Sequence, residues 1–266
     1  NNIVMLTACI TILLGTIFPI IIEVLTNKRI SVGTPYFNST VLPILLPGFL
    51  LMSVAPALSW QTNKLPKFRI YFFVFITISI ISFVITYLLH FNAWGFIGIT
   101  LGLIIICASI LSMYHNYIAH QLKNFFRYNN ALIAHIGVGV TILGITCSSV
   151  FQAEHKHSFL SNESVKVGKY ILKLKNTEII EKENFQELMA TFIVYNDEKI
   201  LSEIKPSKRY YHVSKIITTE AGIYHHWLQD FYIVLGNQKD NKWNVKIYQN
   251  PLVNFIWLGI MIMILS

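Results

Sequence analysis

At 266 residues, with 54% hydrophobic and 13% charged side chains, the chain has the composition of a membrane protein, not a soluble one. Its formal charge of +8 is unevenly placed: residues 1–150 carry seven Lys/Arg against one acid, Glu23, and the remainder fourteen against twelve. The excess lies in short links between apolar runs, where it records topology and not a nucleic-acid surface. Cys9, Cys107 and Cys147 lie inside apolar runs and form no CxxC pair. They read as small buried side chains, without a disulfide framework or a thiolate zinc site. The first residue is Asn and an apolar run reaches Ser266, so the chain is expected to be part of a longer protein, or a subunit covering part of one.

In chain order, apolar runs of membrane length predict five transmembrane helices at about 3–22, 41–58, 70–89, 95–114 and 131–150. Pro19 falls in the last turns of the first, and Pro43, Pro47 and Pro56 interrupt the second, which neighbouring helices in a bilayer tolerate. The link 23–40 contains Gly33 and Pro35 and reads as a turn-rich loop, with Tyr36 and Phe37 suited to the interface. A basic link, 59–69, carries Lys64, Lys67 and Arg69, and 90–94 is a tight connection. Residues 115–130 are too polar to span and are expected to run along the surface before the fifth helix. Links 59–69 and 115–130 hold five Lys/Arg and no acid, against two Lys/Arg and one acid in 23–40 and 90–94. The first pair is therefore expected to face the cytoplasm or matrix, which puts everything after about 150 on the opposite side.

That outer region, 151–249, changes character. It alternates with period two across 165–174, 189–195, 231–235 and 245–248, the pattern of half-buried strands. Residues 196–199 and 236–242 read as hairpin turns. About a hundred residues suffice for one small β domain. Residues 250–266 then begin a final transmembrane helix. The fold class is a polytopic α-helical membrane protein with a small outer-face (periplasmic or intermembrane-space) β domain inserted before the last helix.

The chemistry converges on the fifth helix. Eight residues after Arg127, His135 lies about 12 Å along the helix, beneath the interface, where an ionisable group is costly and usually functional. Ala131 and Gly139, four before and four after, share its face and are small, leaving a flat slot on either side of the ring. A planar macrocycle with its iron on the imidazole suits such a slot. The alternative is that the small residues let two helices approach, with the histidine hydrogen-bonded across the contact. The other histidines point to less. His115 and His120 are five apart in a polar stretch and read as surface residues, and His225-His226 lie between strand signals in a turn. His155 and His157, beside Glu154, form a weak metal candidate. No HExxH, P-loop or GxSxG motif occurs.

Ordered motifs carry a family resemblance. The stretch Ile30-Ser-Val-Gly-Thr-Pro-Tyr-Phe-Asn38 resembles the outer-face motif of CcmF, the haem lyase subunit of the bacterial-type cytochrome c maturation system. Ala134-His135-Ile-Gly137 is similar to that family's transmembrane histidine segment. Residues 205–210, 219–222, 230–236 and 243–248 follow its outer β domain in order, and 250–259 its closing helix. The resemblance covers essentially the whole chain. The family's tryptophan-rich haem-handling segment and the two histidines flanking it are not in this sequence, so the resemblance is to the C-terminal part.

The resemblance implies part of a cytochrome c haem lyase, a subunit not active alone, taking part in covalent attachment of haem to apocytochrome c. It implies a membrane haem b with His135 as one axial ligand, Ala131 and Gly139 beside it, and a second histidine from an earlier helix. Tyr36, Phe37 and Asn38 are the candidate outer-face haem-handling loop. Catalytic residues are not identified. The implied partners are membrane lipid, a haem-carrying chaperone of the CcmE type, a CcmH-type subunit, apocytochrome c and the missing N-terminal part of the lyase. The implied location is the bacterial inner membrane, or alternatively the mitochondrial inner membrane. The rival class is a non-catalytic assembly, haem-transport or transporter component in which His135 is a packing or proton-handling residue.

Overall fold

The computed structural model describes residues 2–28, 30–57, 68–120, 125–196 and 199–266. Among the described residues, five helices are long and apolar enough to cross a membrane. They are α1 (Asn2–Thr26), α2 (Thr34–Val54), α3 (Phe68–Leu88), α4 (Ala93–His120) and α5 (Phe125–Val150). A β region follows, and α6 (Val253–Leu265) closes the described chain. Most large apolar side chains of α1 and α3 are exposed, among them Leu6, Leu13, Phe73 and Ile80, as expected of helices whose solvent is hydrocarbon.

Two helices depart from the sequence expectation. α2 begins seven residues early, so Tyr36, Phe37 and Asn38 lie in its first turns and not in a loop. Gly33 is the extended N-cap residue, and Pro35 sits at the first helical positions, where its missing N–H costs nothing. The signal read as a turn is a helix start. α4 likewise runs on to His120, so His115 and Asn116 are helical and not part of a surface segment. Asn116 Nδ2 donates to Asn129 Oδ1 of α5 at 3.1 Å, which satisfies two amides that would otherwise be expensive there. Lys64, Lys67 and most of the basic link 59–69 lie outside the described residues, as do Lys123 and the middle of the turn 196–199.

The chain forms two compact units, 1–84 with 100–140 and 259–266, and 85–99 with 141–258. In the first, α5 packs on two neighbours through glycines. A Cβ on Gly139 would lie 2.8 Å from the Gly102 carbonyl of α4, and one on Gly137 2.6 Å from the Gly259 carbonyl of α6. Backbone approach of this kind is how membrane helices associate without a hydrophobic driving force between them.

The second unit holds an antiparallel β-sandwich. Its strands are β1 (Ala153–Phe159), β2 (Ser164–Val167), β3 (Tyr170–Glu181), β4 (Phe185–Asn196), β5 (Lys199–Ile204), β6 (Ser207–Tyr211), β7 (Ile217–Glu220), β8 (Gly222–Tyr224), β9 (Gln229–Lys239) and β10 (Lys242–Pro251). One sheet has the order β1-β10-β9-β8, and the other β2-β3-β4-β6-β7 with β5 also on β4. Alternate residues of both sheets form the core, with Leu172, Phe192, Phe231, Ile233 and Ile247 wholly inside. The run 165–174 is two strands joined at Gly168, whose φ of +61° only glycine adopts freely. The expected turn 236–242 narrows to Asp240-Asn241, both at positive φ, because β9 and β10 remain paired up to Lys239 and Lys242. That is the two-residue hairpin geometry favoured by strand twist.

Candidate functional site

His135 sits midway along α5, half-buried. Its Nδ1 is hydrogen-bonded to the Ala131 carbonyl one turn earlier. A carbonyl can only accept, so Nδ1 is the donor, and in a neutral ring Nε2 would keep its lone pair. The bond orients the ring, as commonly seen where an imidazole ligates a metal. The sequence placed this histidine; the oriented Nε2 is added by the geometry.

The residues flanking it behave differently from each other. Ala131 is exposed, so that side of the ring is open. Gly139 is buried against Gly102 and Ile106 of α4, so its small size serves helix packing and the expected slot is filled there. His115, now on α4, neighbours Asn116, whose partner Asn129 lies six residues before His135. At 1.5 Å per residue this is about 9 Å along α5, so the two histidines are not opposite one another. No group of three His, Cys, Asp or Glu positioned to hold a metal occurs among the described residues. As a haem site the fit is therefore to half of one: a single prepared imidazole nitrogen with one open flank. The Asn116–Asn129 bond and the Gly137–Gly259 contact were missed from sequence, although polar amides and glycines inside apolar helices were the available signal.

Tyr36 and Phe37 pack edge to face, centroids 5.2 Å apart, above Gly15 of α1. Tyr36 Oη donates to the Thr11 carbonyl at 3.2 Å, while Asn38 is exposed. In the sandwich, His157 Nε2 donates to Glu163 Oε1 at 2.8 Å. The carboxyl of Glu163 is held below its ordinary range first by the Leu160 backbone N–H, then by His157. That bond to Glu163 explains His157 structurally. His225 Nδ1 donates to the buried Asp230 at 2.9 Å, which ties the β8–β9 turn.

Fold and site together define a class: a polytopic membrane protein with a β-sandwich ahead of its last apolar helix and an oriented imidazole inside a span. Residues 150–251 match the family model described as the CcmF C-terminal beta-sandwich. The chain is 30% identical to the cytochrome c-type biogenesis protein CcmF of Escherichia coli (strain K12), over 100% of this chain and 42% of that protein. It is also 30% identical to the cytochrome c-type biogenesis protein CycK of Rhizobium meliloti (strain 1021), over 99% and 41%. A solved structure, Cytochrome c Heme Lyase CcmF, superposes with a TM-score of 0.72 at 17% identity, covering 97% of this chain and 42% of that one, and so shares the fold. The chain is similar to CcmF proteins along its whole length, and its residues 150–251 match the C-terminal sandwich of that family. It spans about two fifths of the length of these relatives. Five membrane-length helices and the bacterial relatives make it a multi-pass protein of the bacterial inner membrane.

Proposed function

We propose that the chain is the C-terminal portion of a membrane haem lyase for c-type cytochromes, in which His135 supplies one axial ligand to a b-type haem through Nε2. The observation that carries this is the imidazole itself, held by the Ala131 carbonyl with Nε2 free, inside a membrane span of a chain resembling cytochrome c biogenesis proteins. The chain's own contribution is positional. Ala131 orients the ring, and Gly137 and Gly139 lock α5 between two neighbours. Bound there, a b-type haem supplies one-electron transfer between ferrous and ferric states. The second ligand comes from the part of the lyase outside this chain. Residues 151–249 face away from the cytoplasm, and the partners are a CcmE-type haem chaperone, a CcmH-type subunit and apocytochrome c, with Tyr36, Phe37 and Asn38 as candidate haem-handling residues.

The contact of Gly139 with Gly102 favours a second reading, in which α5 is a packing helix and the protein a non-catalytic assembly component. Co-purification of the chain with the remainder of the lyase separates the two. The haem reading predicts a Soret band in the assembled complex, and the packing reading predicts none.

A further inference from the structure

The sandwich core ends at its base in polar side chains. Inward positions are Phe231, Ile233 and Leu235 on β9, and Val245 and Ile247 on β10. The same period-two rows continue to Gln229 and Gln249. Gln229 Nε2 donates to Gln249 Oε1 at 3.1 Å, while Gln249 Nε2 is buried and has no partner among the described residues. A donor left so is costly, and an unmet donor at the edge of a cavity points to a ligand.

The cavity is present. A pocket of about 480 Å³ opens beneath the two glutamines. One wall is apolar, formed by Leu89 just beyond α3, Cys147 of α5, Phe151 just beyond α5, and Leu252 before α6. Lys169 also lines the pocket, its ammonium 5.2 Å from the centroid of the Tyr170 ring. The Gly168 turn before it approaches Gln249, since a Cβ on Gly168 would lie 3.4 Å from that amide nitrogen. Among the described residues no acidic side chain lines the pocket.

The neighbouring turn ties the pocket to the start of an apolar helix. Leu252 N donates to the Leu228 carbonyl at 2.9 Å, and Asn254 Nδ2 donates to the carbonyls of His226 and Trp227. The turn 225–228 is thereby tied to the start of the apolar helix α6, with Trp227 and Leu228 exposed. An exposed tryptophan at the mouth of an apolar helix marks the headgroup region.

We propose that this pocket binds an anionic phospholipid of the adjoining leaflet, its phosphate on Lys169 and the Gln249 amide and an acyl chain along Leu89, Cys147, Phe151 and Leu252. A free phosphate satisfies only the polar side and leaves the apolar wall bare, which favours the lipid. The test is native mass spectrometry of the full membrane chain released from detergent and titrated with phosphatidylglycerol, phosphatidylcholine or inorganic phosphate. One phosphatidylglycerol binds in preference to phosphatidylcholine, and millimolar inorganic phosphate does not displace it. Lys169→Gln, at an exposed position that leaves the fold intact, weakens phosphatidylglycerol about fivefold and leaves phosphatidylcholine unchanged. Gln249→Leu removes the donor and weakens binding in a chain whose sandwich still melts cooperatively. Equal binding of the two lipids, indifference to Lys169→Gln, or displacement by inorganic phosphate overturns the proposal.

Discussion

Replacing Glu187 with alanine tests the energetics of the sandwich. Glu187 on β4 is 9% exposed, and its Oε1 accepts from Ser207 Oγ at 2.6 Å and from Arg209 Nε at 2.9 Å, both on β6. Alanine forfeits a charge-assisted bond and leaves the buried Ser207 hydroxyl without its acceptor, each worth about 1–3 kcal/mol. Arg209 is one-third exposed and keeps Glu220 at 3.5 Å, so water repays most of its share. The net cost is about 3 kcal/mol, roughly a hundredfold in the exchange rate of globally protected amides. Hydrogen exchange of β3, β4 and β6 peptides at pH 7 reads it directly. The Ser207 bond first, and Arg209 next, hold the Glu187 carboxyl below its ordinary value of 4.5. Its stabilisation is therefore present above that value and lost as pH falls through the lower folded one. The deficit of Glu187→Ala should shrink in acid. Unchanged exchange at pH 7, or a deficit that grows on acidification, would refute the reasoning.

Four further outcomes follow from the helices and the topology. Gly139→Leu must displace the Gly102 carbonyl and Ile106, so it should lower the melting temperature of the detergent-solubilised chain by an overpacking cost of about 1–3 kcal/mol, seen by scanning fluorimetry. Tyr36→Phe removes only the bond to Thr11 and should cost about 1 kcal/mol in the same assay, while alanine at Tyr36, Phe37 and Asn38 together should lower cytochrome c maturation with the chain still in the membrane. Cysteines at the exposed Ser214 and at Asn63 should react oppositely with an impermeant thiol reagent in intact cells, and equal labelling would contradict the assigned sides.

The membrane spans and the sandwich were legible because both follow from local hydrophobic period: unbroken apolar runs, then alternation. What escaped depended on partners distant in sequence. Asn116 looks too polar to be helical until Asn129 satisfies it from the next helix. Gly139 looks like a slot for a ligand until Gly102 occupies the space. β1 does not alternate cleanly, since Glu154, His155 and Lys156 are all exposed, and it is a strand because it pairs with β10 from Ala153 to Phe159. Pro35 was ambiguous in a simpler way, because proline serves both a turn and the first turn of a helix. Of the candidate site, the position of His135 was readable from sequence. The hydrogen bond of its Nδ1 with the Ala131 carbonyl needed coordinates.

The central claim is that His135 Nε2 ligates a membrane haem, and the optical spectrum of the assembled lyase carrying His135→Ala tests it most directly. The account predicts loss of the low-spin bis-histidine spectrum, with added imidazole restoring part of it by filling the vacated ligand position. An unaltered low-spin spectrum together with normal cytochrome c maturation would contradict it and leave His135 a packing residue.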